Sequence, residues 1–111
     1  LLAALVYCES GNQPYEGKLA VANVVLNRIN STQFPNTMKE VIYQRGQFTP
    51  AFSGSLAAAL NKGVPDECVK AAKDAIAGNN NVEGYYFFNT VVDTSKVAEY
   101  IKIGDHIFYH Y

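Results

Sequence analysis

Leu1 to Cys8, LLAALVYC, is apolar without interruption. The run is long enough for about two helical turns and too short for the roughly 20 residues of a membrane span. It predicts a buried helix that breaks on Glu9, because Ser10, Gly11 and Asn12 stop helices and make turns. After Pro14, Tyr15-Glu16-Gly17 leads into KLAVANVVLNRIN, whose apolar residues nearly encircle the helix they predict. Such a helix belongs at the centre of the fold, mostly buried. Asn23, Asn27 and Asn30 recur on it at i, i+4 and i+7 as one polar stripe, which either faces water or lines a cleft with amides; Arg28 points elsewhere.

Ser31 to Asn36 reads as a loop and Thr37 to Tyr43 as a short helix with Met38, Val41 and Ile42 inward. Gln44 to Pro50 is a loop that carries amides, a hydroxyl and an aromatic ring, and it serves either as an ordinary connection or as a set of ligand contacts. Gly54 to Asn61 predicts an Ala/Leu helix, broken at Gly63-Val64-Pro65. Asp66 then caps a further helix that buries Cys68, Val69, Ala72, Ala75 and Ile76 and stops at Gly78. From Asn79 the character changes. An Asn-rich loop precedes the aromatic strand Tyr85 to Asn89, and Val97 to Ile103 and His106 to Tyr111 predict two more strands around the turn Gly104-Asp105. The expected fold class is therefore α+β, a helical body with a small antiparallel sheet near the C-terminus.

Composition narrows the function. Nine basic residues against ten acidic ones leave no electrostatic footprint for nucleic acid or an anionic membrane surface. Eight Tyr and six Phe supply flat amphipathic rings that fill cores and also suit sugar faces. Cys8 and Cys68 are too few for a disulfide scaffold; they form either one bridge or two buried thiols. His106 and His110 share one strand face but stand too far apart for one metal ion, so neither a metal site nor a cofactor is expected. Nothing predicts a transmembrane segment.

Glu9 is the best centre for chemistry. A carboxyl where a buried element meets a bend is partly stripped of water, which disfavours its charged form and moves it toward the range of a general acid. Read alone, Glu9 fits an exposed helix-end carboxylate better than a reactive one, because most Glu residues are solvated.

Seven ordered blocks add a resemblance over nearly the whole chain: Leu5 to Glu9, Pro14 to Gly17, Ala20 to Arg28, Phe34 to Thr37, Val41 to Gln44, Gly46 to Thr49 and Ile103 to Phe108. In these the chain resembles the catalytic domain of SleB/CwlJ-type cell wall hydrolases, the spore-cortex-lytic family. Glu9-Ser10, Gly46-Gln47-Phe48 and Tyr86 to Asn89 are more loosely similar to the acid and substrate-contacting segments of lysozyme-like lytic transglycosylases. The resemblance implies a lysozyme-like fold and cleavage of the bond between N-acetylmuramic acid and N-acetylglucosamine in peptidoglycan strands, in spore cortex during germination and outside the cytoplasm. It maps the acid onto Glu9, acting alone as acid and then base. Gln47, Thr49, Tyr86 and Asn89 are the expected substrate contacts, with Asn27 and His106 as structural reserves. Many relatives read Glu-Ala-Arg-Gly-Glu-Pro where this chain has Glu9-Ser10-Gly11-Asn12-Gln13-Pro14, so any role of that second acid does not fall on Gln13. Residues 1–111 are expected to be one catalytic domain of a longer secreted protein, and a monomer. A hydrolytic muramidase on the same site and a non-catalytic peptidoglycan-binding module remain the alternatives.

Overall fold

A computed structural model describes residues 1–111. Six helices precede a three-stranded sheet: α1 (Leu2–Ser10), α2 (Tyr15–Ile29), α3 (Met38–Ile42), α4 (Pro50–Ser53), α5 (Ser55–Lys62), α6 (Asp66–Ile76), β1 (Phe87–Asn89), β2 (Glu99–Ile103) and β3 (His106–His110). The short α1 packs against α2, α5 and α6, and Leu5 and Val6 are fully enclosed. A helix covered on so many sides has no use for a polar stripe, which is why its sequence shows none. No helix is long and apolar enough to cross a membrane.

The sheet is antiparallel with order β1-β3-β2. Phe88 faces Phe108 across β1 and β3, and Ile101 faces Phe108 from β2. Phe108 is completely buried and brings the sheet onto the helical core. Helices first and an antiparallel sheet last make this the α+β architecture expected from the pattern.

Several boundaries differ from expectation, each for a physical reason. The central helix begins at Tyr15 rather than Lys18, because Pro14 holds the extended N-cap geometry and its ring cannot sit inside a helix. Pro50 starts the extra turn α4, placed between the expected loop and α5. Asp66 is the first residue of α6 rather than its cap: Pro65 holds the cap position and no side chain closes it. Asp66 and Glu67 act instead through favourable charge at the positive helix end. Paired strand begins at Phe87 rather than Tyr85. Cys8 and Cys68 are free thiols.

The Asn stripe divides: Asn30 is exposed, while Asn23 is buried and Asn27 half-buried. Its first two members grip the Asn-rich loop. Asn23 Nδ2 donates to Asn79 O at 2.8 Å, and Asn27 Nδ2 donates to Val82 O at 2.9 Å and Tyr85 O at 2.8 Å. Asn80 Nδ2 returns a bond to Asn27 Oδ1 at 2.8 Å, and the enclosed Val82 plugs the loop onto the core. The loop can thus lie against the helix without leaving its carbonyls unpaired.

A second clasp ties the turn after α1 to the β2–β3 turn. Gln13 Oε1 accepts from Asp105 N at 2.8 Å while Gln13 Nε2 donates to Asp105 Oδ2 at 3.0 Å. At Gly104, where φ is +60, a Cβ would stand 2.4 Å from Gln13 Oε1, so a side chain there would strain the backbone and displace the clasp.

Asn27→Ala should lower unfolding stability by about 1–3 kcal/mol, because Tyr85 O loses its donor while Val82 O keeps only the bond from Tyr85 N; equilibrium denaturation in urea measures the loss.

Candidate active site

Glu9 occupies the last turn of α1, half-buried. Gly11 makes the abrupt exit possible: a Cβ there would come within 2.6 Å of Tyr7 O and 2.9 Å of the Tyr7 ring. Ser10 is fully buried and donates back to Val6 O at 2.8 Å, which closes the helix end and leaves Glu9 as the only acid turned to the adjoining cleft. No hydrogen bond or ion pair holds its carboxylate. Burial raises its pKa above the ordinary 4.5. The carbonyl end of α1 disfavours a negative charge in the same direction. The shift is in the direction that a general acid needs.

The cleft beside it has a volume of about 440 Å³. One wall is the loop Gly46 to Pro50, including Gln47, Phe48 and Thr49; the facing wall is Phe87, Phe88, Asn89 and Thr90 from β1 and its exit, with His106 and Tyr109 from β3. Arg28 of α2 completes it. A larger hollow of about 810 Å³ lies on the other side of α1, lined by Cys8, Ser55, Lys62 and their neighbours, but it holds no carboxylate. Size alone therefore does not mark the reactive centre.

Of the residues expected from sequence, Glu9, Gln47, Thr49 and Asn89 stand around this one cleft. Tyr86 does not border it. Its ring stacks on Phe34 with centroids 5.7 Å apart, and its carbonyl accepts from Arg28 Nε at 2.8 Å. The rings at the cleft are those of Phe48, Phe87, Phe88, His106 and Tyr109, while Tyr86 lies just before the paired strand. Asn27 is engaged with the loop. His106 lines the cleft, buried, with Phe88 edge-on at 5.3 Å. Burial lowers its pKa, against the opposing charge of Asp105, and favours the neutral imidazole.

Arg28 is the main residue that sequence reading missed. It is 3% exposed, with its guanidinium 5.1 Å from the Phe34 and Phe48 ring centres and 5.4 Å from that of Phe87. Burial lowers its pKa to about 10, so it stays charged at neutral pH. Cation–π contact with desolvated rings contributes about 2 kcal/mol, which offsets part of the cost of enclosing it. The available signal was an arginine in a helix apolar nearly all round.

A buried helix ending on a carboxyl, a polar loop and a small antiparallel sheet across a cleft define a lysozyme-like α+β domain, and the chain belongs to the cell wall hydrolase family, which it matches over residues 12–109. Glu9 lies just before that span. Among individual relatives, the chain is 40% identical over 113 residues to the spore cortex-lytic enzyme of Bacillus cereus, with 97% of this chain and 42% of that protein covered. It is 38% identical over 113 residues to the spore cortex-lytic enzyme of Bacillus subtilis, with 97% and 36% covered. The chain thus spans about two-fifths of the length of these curated relatives. Two solved structures are similar. The catalytic domain of the Bacillus cereus SleB protein superposes with a TM-score of 0.85 at 33% identity, covering 98% of this chain and 86% of the other. The catalytic domain of the germination-specific lytic transglycosylase SleB from Bacillus anthracis gives 0.79 at 33% identity, covering 97% and 89%.

The raised pKa of Glu9 has a measurable sign. The folded state holds this proton more tightly than the unfolded chain, so the stability linked to it is full below the ordinary pKa and is lost as pH rises through the folded value. Glu9→Gln cannot lose that proton. The variant should resist urea better than the parent at pH 7, and the gap should close as pH falls below about 4.

Proposed function

We propose that this domain cleaves peptidoglycan glycan strands as a lytic transglycosylase, at the bond between N-acetylmuramic acid and N-acetylglucosamine, with spore cortex as the target during germination. It would then act outside the cytoplasm. The observation that carries the reading is Glu9: a half-buried carboxyl of raised pKa, without a partner, and the single acid among the residues of the cleft. The names of the spore cortex-lytic relatives and of the SleB domains support the choice of substrate.

Protonated Glu9 donates to the glycosidic oxygen as the bond to C1 of the muramyl sugar breaks. The resulting carboxylate takes the proton of the C6 hydroxyl, whose oxygen closes on C1. The product carries a 1,6-anhydro ring and Glu9 is again protonated, so acid and base roles fall on one group. Retaining hydrolysis by two carboxylates needs a second one within about 5.5 Å, and the cleft offers Glu9 alone. Gln47, Thr49 and Asn89 present amides and a hydroxyl to the sugar from both walls. The neutral imidazole of His106 adds a further polar edge.

Glu9→Gln keeps the shape of the side chain and should lower cleavage of purified sacculi by about 10²- to 10⁴-fold; a variant as active as the parent would remove Glu9 from the reaction. Mass spectrometry of the released muropeptides should show ends lighter by one water, whereas ordinary reducing ends would assign hydrolysis instead. Release of no fragments, with sacculi still bound, would make the domain a binding module. Gln47→Ala, Thr49→Ala and Asn89→Ala should each change KM or kcat. Tyr86→Ala should act chiefly on stability, because its ring supports Phe34 outside the cleft.

A further inference from the structure

We infer that Arg28 is the receptor in this cleft for a carboxylate of the substrate. The inference rests on the peptidoglycan reading above and adds a specificity that Glu9 does not provide. An almost fully enclosed cation is expensive to hold unless an anion or a full set of acceptors surrounds it. Arg28 has neither. It forms no ion pair; Nε donates to Tyr86 O at 2.8 Å, and Nη1 is enclosed with no acceptor at all.

Glu9 does not spend this charge: no ion pair joins its carboxylate to the guanidinium. The three rings around the guanidinium make its burial bearable without neutralising it. The structural link from α2 to Tyr86 O uses Nε alone; a neutral donor of similar length would serve it with no charge to desolvate. What the guanidinium offers beyond packing is unused N–H donors in a planar fork, the geometry that matches a carboxylate. Peptidoglycan carries carboxylates on the peptides attached to its muramyl sugars, next to the bond that Glu9 would break. Arg28 would thus select strands bearing acidic peptides and set their register over Glu9.

The test compares native peptidoglycan with the same material after its carboxylates have been converted to amides. For the parent protein, amidation should raise KM by about ten- to a hundredfold with little change in kcat, the loss expected for one charge-assisted contact. Arg28→Gln should show a raised KM on native material and no further rise on amidation, and circular dichroism would confirm its fold. If this variant does not fold, the parent on the two substrates still decides. Equal KM values for the parent on both would overturn the inference while leaving the lytic reading intact. If neither substrate is cleaved, the lytic reading fails; calorimetric binding of native and amidated soluble fragments then decides for Arg28, with equal affinities overturning it.

Discussion

A segment that crosses the protein between α6 and the sheet has no secondary structure to satisfy its carbonyls, yet it must lie against the core. The donors come from one helix: Asn23, Asn27 and Arg28 of α2 reach the carbonyls of Asn79, Val82, Tyr85 and Tyr86. This is the constraint on which the rest depends. The loop so held delivers β1, and β1 builds the wall opposite the α1 terminus. Backbone satisfaction and site construction are here the same set of contacts.

Two opposed demands meet at α1. Its enclosure contributes to the core, and the same enclosure withholds water from the carboxyl that follows. Stability and proton affinity are coupled because the helix must end while still partly covered. The compression of Ser10 and Gly11 against Val6 and Tyr7 accomplishes that in two residues. A gentler exit would move Glu9 into solvent and return it to an ordinary carboxylate.

Much of this was legible in the sequence, and for definite reasons. The unbroken apolar run before Glu9, the apolar girth of α2 and the aromatic run Tyr85 to Phe88 are local signals that tertiary contacts reinforce. Their order also carried the resemblance to cell wall hydrolases. The stripe Asn23-Asn27 was visible as a pattern but not as a clamp, because its partner is a loop over 50 residues away with no period of its own. Arg28 was hidden for a related reason: its surroundings are rings from three separate segments, Phe34, Phe48 and Phe87. Tyr86 stands one position before β1, and its ring is taken up by Phe34 rather than the cleft, a contact between separate segments that no local pattern shows.

The clasp between Gln13 and the Asp105 turn uses a side-chain amide. An amide offers one acceptor and one donor, and these meet the Asp105 N–H and the Asp105 carboxylate respectively. A glutamate at this position would face Asp105 with a carboxylate of like charge, so that the pair would have to share a proton to close. With glutamine the latch carries no proton of its own. The turn that follows α1 is thus held to the sheet by two bonds that require no proton to be shared between side chains.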